Sequence, residues 1–251
     1  MKDFAIKLAK EAGKILIKDF GRLKSIKKKR QNDFVTNADY ESEKFIISKI
    51  KEKYPEHSIV SEEKGEEINN SDYTWYIDPL DGTTSFIHGL PMFGVSIALT
   101  KKGDIILGVI YLPFFDELYV AEKGKGAYIN GKRTRVSENS DVKNSLINIS
   151  STRVVDDEAH IKKVTRILRK FPGSRIIGGA SFNLCQVAKG CLDAYVISEP
   201  SPWDIAAGFL IIREAGGKAT SLDKSGFSVE TKKDIIVSNG KIHDQIVKSL
   251  K

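Results

Sequence analysis

The spacing of apolar residues changes period along the chain. Over residues 3–20, Phe4, Leu8, Ala12, Ile15, Leu16 and Phe20 fall on one stripe at helical intervals, which predicts an amphipathic helix. A second helix is expected over about 39–53, with Phe45, Ile46 and Ile50 inward and Pro55 ending it. The runs then shorten to strand length. SIVS reads as a strand entering an acidic turn, and TWYI as a strand that stops just before the segment DPLD. FGVSIALT and DIILGVIYL flank KKG as a hairpin, and ELYVA, GAYI and RTRVS follow, with Asn130-Gly131 as a tight turn. From about residue 144 the texture alternates: strand SLINIS, a helix near 157–170, strand SRIIG, helix SFNLCQVAKG, strand DAYVIS, helix WDIAAGFLIIREAGG, strand DIIVSN and a terminal helix. The expectation is one domain over 1–251, mainly antiparallel over about 1–143 and alternating α/β over about 144–251.

Composition narrows the class. With 251 residues and 41% hydrophobic content the chain can bury a large core. No apolar run approaches the roughly 20 residues of a membrane span, so no membrane partner is expected. The first residues are punctuated by Lys and Glu, unlike a secretory signal, and a cytoplasmic location is expected. Cys185 and Cys191 share one helical segment without CxxC spacing and read as small core residues. The net charge of +7, from 40 basic and 33 acidic residues, is spread along the chain apart from KKKR at 27–30. Without zinc-finger spacing, an RNP-like aromatic motif or heptads, it does not support a nucleic-acid partner. The run reads first as a solvated loop; the alternative is a mobile basic loop over residues 24–32 that closes over the phosphate end of the site.

Candidate chemistry lies in the acidic residues at strand ends and helix starts, where α/β folds build sites. Glu62 and Glu63 follow SIVS, Asp78 and Asp81 follow TWYI, Asp39 opens the second helix and Asp204 opens a later one. Oxygen donors of this kind suit Mg²⁺, whereas the four histidines are scattered and make no zinc site. In DPLDGTT, Asp78 and Asp81 can share cations, Pro79 stiffens the turn, and Leu80 can offer its carbonyl. Gly82 permits close approach of an anion, and Thr83 and Thr84 supply hydroxyls. The bland alternative is an ordinary Asp-Pro and Asp-Gly turn. GKGAYING sits among hairpins, not at a strand-to-helix turn, and no GxxxxGK[ST] exists, so neither dinucleotide nor P-loop chemistry is indicated.

Taken together, NDFVTNAD, VSEE, WYIDPLDGTTSFIHGLPMFGVSIAL, GKGAYING, GGASFNLCQVAKGCLDAYV and PWDIAAGFLIIREAGG resemble the inositol monophosphatase family of Mg²⁺-dependent, lithium-sensitive phosphatases, over essentially the whole chain. The resemblance implies an α/β fold, a five-layered α-β-α-β-α sandwich, assembled as a homodimer. It implies two to three Mg²⁺ ions and direct attack of a metal-activated water on a small phosphate monoester. Glu62, Asp78 and the Leu80 carbonyl would hold the first ion, and Asp78, Asp81 and Asp204 the second. Asp39 would help position a third ion and its water. Thr83 with Glu62 would orient and deprotonate the nucleophilic water, and the Gly82 and Thr83 amides would bind the phosphate. Ser181 and Cys185 are read as the buried face of a helix, and His88 and Phe86 as packing residues.

The substrate is read from the other side of the pocket. Gly178, Gly179 and Ala180 match the family's substrate-side loop, and Arg175 is a candidate partner for a second anionic group. Animal members carry a glutamate seven residues before the WD aspartate. Here that position is Ile197, and Glu199 is the nearest acid. The departure favours inositol-1-phosphate together with fructose-1,6-bisphosphate, as in microbial relatives. A narrow inositol-1-monophosphatase is the first alternative. A 3′-phosphoadenosine 5′-phosphate phosphatase is the second, disfavoured because that branch carries DGTKEF-like residues where this chain has DGTTSF.

Overall fold

The computed structural model of the chain describes residues 1–22, 25–30, 33–150, 158–222, 229 and 233–250. Helix Lys2–Asp19 buries Ala5, Leu8, Ala9, Ala12 and Leu16 along the stripe the spacing predicts. Gly13 lets it lie close to the sheet, since a Cβ there would come within 2.6 Å of the Tyr111 ring. Helix Asn37–Lys53 begins ahead of the expected start because Thr36 and Asp39 form a capping box. The Asp39 carboxylate accepts from the Thr36 amide at 2.8 Å, and the Thr36 hydroxyl accepts from the Ala38 amide at 3.1 Å.

An eight-stranded sheet runs in the order Lys132–Arg133, Ala127–Ile129, Glu117–Glu122, Asp104–Leu112, Gly94–Lys101, Tyr73–Asp81, Ser58–Ser61, Gly65–Glu67. Its neighbours are antiparallel except Ser58–Ser61 beside Tyr73–Asp81. A five-stranded sheet orders Ser174–Arg175, Ile147–Ile149, Ala194–Ile197, Ile235–Ser238 and Lys218–Ser221. The two N-terminal helices cover one face of the large sheet over a core containing Trp75, Ile77, Leu80, Phe86 and Phe93. Helices Ala180–Ala188 and Pro202–Glu214 fill the space between the sheets. Helices Glu158–Lys170 and His243–Leu250 cover the far face of the small sheet. The layers are therefore α-β-α-β-α, a mixed α/β sandwich. Among the described residues no helix is long and apolar enough to cross a membrane.

Several elements depart from the sequence expectation, each because pairing between strands is invisible to periodicity. KKKR is not a loop: Ile26–Arg30 pairs antiparallel with Asp33–Thr36, and Lys27 and Lys28 lie exposed on it. Residues 24, 31 and 32 of that expected loop lie outside the described residues. Lys218–Ser221, with no apolar alternation, is an edge strand held by Ile235–Ser238. RTRVS and SRIIG shrink to the two-residue strands Lys132–Arg133 and Ser174–Arg175. The strand read as TWYI extends through DPLD to Asp81.

Candidate active site

Two aspartates three residues apart on a regular strand would point to opposite faces. In Tyr73–Asp81 a bulge prevents this. Asp78 pairs with Ser96 and Asp81 with Gly94, so Pro79 and Leu80 together stand opposite the single residue Val95. The extra residue turns Leu80 into the outer core alongside Trp75 and Ile77. Asp81 accordingly turns inward, where it meets the middle-layer helix Ala180–Ala188. Its Oδ1 accepts from the Ala180 amide at 3.0 Å and its Oδ2 from the Ser181 amide at 2.6 Å. Within the bulge, Asp78 Oδ1 accepts from the Leu80 amide at 3.1 Å. DPLD is thus neither a plain turn nor a loop beyond the strand.

The other acids arrive by separate routes. Ser61 is in parallel register with Ile77, so Glu62, the next residue, emerges beside Asp78, with its amide donating to the Ile77 carbonyl at 3.3 Å. Asp204 sits in the first turn of Pro202–Glu214 and accepts from the Ser201 amide at 2.8 Å. Ser96, the strand partner of Asp78, donates from Oγ to the Trp203 carbonyl at 3.2 Å and so ties that helix start to the bulge. Asp39, wholly buried, reaches in from the outer layer. The Thr83 hydroxyl lies 3.1 Å from Asp39 Oδ1 and 3.0 Å from the Leu80 carbonyl, and its one proton can go to only one of them at a time.

The cluster is electrostatically tense. Burial pushes the Asp78 carboxyl well above the usual range, and the charges of Glu62, Asp81, Asp204 and Asp39 push it further. Asp81 is raised to about 6 by burial, against which the Ser181 and Ala180 amides pull it down. Burial raises Asp39 too, partly offset by its bonds to Thr36 and Thr83. Among the described residues no three acids close into a ready cage around a single point. The four aspartates are instead held by backbone amides: Asp39 by Thr36, Asp78 by Leu80, Asp81 by Ala180 and Ser181, and Asp204 by Ser201. The donor set is nonetheless all oxygen: carboxylates plus the Leu80 carbonyl. Such a set suits a hard divalent cation better than a soft one.

Gly82 follows the bulge at φ +85°, and Gly179, at φ +82°, packs against the same Met92 carbonyl. The Gly178–Gly179 loop is anchored by two asparagines that sequence reasoning did not single out. Asn148 exchanges hydrogen bonds with Ile177 at 2.9 and 3.0 Å, and Asn183 donates to the Gly179 carbonyl at 2.7 Å. Ala180 heads the helix that clamps Asp81. Arg175 is exposed on an edge strand, and its guanidinium donates to the Ser174 carbonyl, not to any acid of the cluster. Glu199 is exposed at φ +39°, and Ile197 is buried in the core between the sheets. Ser181 and Cys185 are fully buried, and Phe86 packs on Phe93 at 4.8 Å. His88, expected to pack, is exposed at the end of the short helix Thr83–Ile87.

A layered α/β sandwich with buried and half-buried acids gathered at a strand bulge presents an oxygen-donor site. The sequence profile of the inositol monophosphatase family matches residues 1–251, and the chain belongs to that family of phosphatases. It is 40% identical over 248 residues to the fructose-1,6-bisphosphatase/inositol-1-monophosphatase of Thermotoga maritima, covering 98% of this chain and 94% of the relative. It is 39% identical over 251 residues to a putative Nus factor SuhB of Neisseria meningitidis, covering 97% and 95%. The crystal structure of the extragenic suppressor protein suhB from Bartonella henselae superposes with a TM-score of 0.94 at 35% identity, covering 99% and 97% of the two chains.

Proposed function

We propose that this protein is a Mg²⁺-dependent phosphomonoesterase acting on inositol-1-phosphate and fructose-1,6-bisphosphate. The observation that carries the reading is the bulge that turns Asp78 and Asp81 to one face, beside Glu62, Asp204 and Asp39. Glu62, Asp78 and the Leu80 carbonyl would hold one ion, Asp78, Asp81 and Asp204 a second, and Asp39 would help position a third. When bound, the ions supply charge neutralisation of the phosphate and acidify the attacking water. With the Leu80 carbonyl holding an ion, Asp39 would be the acceptor for the Thr83 proton, and Thr83 would present a lone pair to the water. Glu62, half-buried at the rim, takes the water's proton. The Gly82 and Thr83 amides bind the phosphate, and Gly178, Gly179 and Ala180 line the leaving-group side.

Substrate range is supported by the name of the Thermotoga relative and by the burial of Ile197, which takes that position away from a sugar hydroxyl. Arg175 and Glu199 are both exposed, and each is assigned to the leaving-group end of the substrate. Homodimeric assembly and a cytoplasmic location belong to the same reading. The decisive experiment is phosphate release with Mg²⁺ from inositol-1-phosphate, fructose-1,6-bisphosphate and 3′-phosphoadenosine 5′-phosphate, with Asp78→Asn as a blank. Comparable kcat/KM on the first two is expected, and release from none of the three would sink the reading.

Lys27 and Lys28 face solvent on the strand paired with the one that leads into Thr36 and Asp39. Neutralising both to Gln should raise KM for fructose-1,6-bisphosphate by roughly two- to fivefold at low salt and leave kcat unchanged, the effect vanishing near 0.5 M salt as the Debye length shrinks to a few ångströms. An unchanged KM would make the ribbon plain surface.

A further inference from the structure

One face of helix Asn37–Lys53 touches three separate parts of the site. Asp39, Ser42 and Glu43 stand at i, i+3 and i+4, the spacing that shares a helical face, and all three are buried. Asp39 meets Thr83. Ser42 Oγ donates to the Pro79 carbonyl at 2.9 Å, inside the bulge and one residue from the Leu80 carbonyl. Glu43 Oε1 accepts from the Glu63 and Lys64 amides, both at 3.0 Å, and so closes the turn that follows Glu62.

A carboxylate only 6% exposed is costly to bury. Here two charge-assisted bonds offset that cost, and both are spent on the backbone of one short turn. Ser42 is equally committed: its side chain is wholly buried and spans 37 residues of sequence to reach one carbonyl. From the Asp78 bulge and the Glu62 turn come the two donors assigned above to the same ion.

We infer that Ser42 and Glu43 are positioning residues that set the separation between the Leu80 carbonyl and the Glu62 carboxylate, and thereby the affinity of the site for its divalent cation. The inference rests on the hydrolase reading above. It places the effect of this helix face on cation binding, not on the turnover of the loaded enzyme.

The geometry makes the test selective. Both amides bond to Glu43 Oε1, an oxygen that Gln keeps and Ala removes. Calorimetric titration of the full chain with Mg²⁺, without substrate, should show Glu43→Ala weakened about 10- to 100-fold, the usual range for groups that orient ligands. Glu43→Gln should stay within about threefold of the parent, and Ser42→Ala should weaken by roughly three- to tenfold. The Mg²⁺ activation constant should shift by the same factors, with kcat at saturating Mg²⁺ nearly unchanged. Glu214→Ala is the structural control. Glu214 likewise accepts from two amides, Gly124 and Gly126, both at 2.7 Å, but it lies about 15 Å along its helix from Asp204. It should lower Tm and leave Mg²⁺ affinity alone.

The inference is overturned if Glu43→Ala lowers Tm as Glu214→Ala does while Mg²⁺ affinity stays at the parent value. It is overturned equally if Gln fails to rescue. Should Glu43→Ala not fold, Ser42→Ala and Glu43→Gln carry the comparison. If the parent and Asp78→Asn titrate identically with Mg²⁺, the hydrolase reading itself has failed and takes this inference with it.

Discussion

Asp78→Asn should make the protein more stable in EDTA and inactive in Mg²⁺. Asp78 is buried among four other acids, and both burial and their charges oppose its ionisation. Asn removes one negative charge, keeps the oxygen that accepts from the Leu80 amide, and matches the shape. A carboxyl whose folded pKa is raised above its unfolded value destabilises the native state fully at pH above the folded value. The penalty is relieved as pH falls through that value and is gone below the unfolded one. For Asp81 the window runs from about 6 down to 3.8, an order-of-magnitude cost of about 3 kcal/mol at neutral pH. Calorimetry in EDTA should therefore show the parent gaining stability as pH falls from about 6.5 to 4, with Asp78→Asn already several degrees higher at pH 7.5, at roughly 2–4 °C per kcal/mol for a chain of this size. Hydrolysis should fall at least about 10³-fold, because a donor assigned to two ions is lost. A variant less stable than the parent in EDTA would show that the ring is not under repulsive strain.

Gly82→Ala should be the most damaging small substitution near the site. The residue sits at φ +85° between the bulge and the helix Thr83–Ile87. An added Cβ would stand 2.5 Å from the Met92 carbonyl oxygen and 3.3 Å from the Phe93 Cα. Both neighbours are backbone, so neither can swing aside as a side chain would. The left-handed conformation costs roughly 1–2 kcal/mol for a residue with a Cβ, and the enforced shift adds about 1–3 kcal/mol. Thermal unfolding should drop by roughly 5–15 °C, and kcat should fall with it because Thr83 is the next residue. Gly103→Ala separates the two causes. It has φ +80° with nothing within 4 Å of the added carbon, so it should show the conformational cost alone. Equal losses in the two variants would mean that the Met92 contact is not tight.

The sequence by itself determined the class, the layers and the acid inventory. Helical stripes such as Leu8, Ala12 and Leu16, and the change from short strands to alternating elements, are local patterns read from residue order. DPLDGTT, SEE and WD are also legible, because carboxylates beside glycine and threonine have few uses in a core. Tertiary structure decided which of these groups meet. Asp78 and Asp81 share a face only because a bulge in strand pairing adds a residue opposite Val95, and pairing leaves no trace in periodicity. KKKR became a strand for the same reason, through its neighbour Asp33–Thr36. Ser42, Glu43, Asn148 and Asn183 were silent because their bonds run to backbone groups between 4 and 37 residues away, and a single polar residue carries no sign of a distant partner. Short-range side-chain chemistry is written into the order of residues, whereas the separation between two carboxylates is set by hydrogen bonds that form only once the layers have closed.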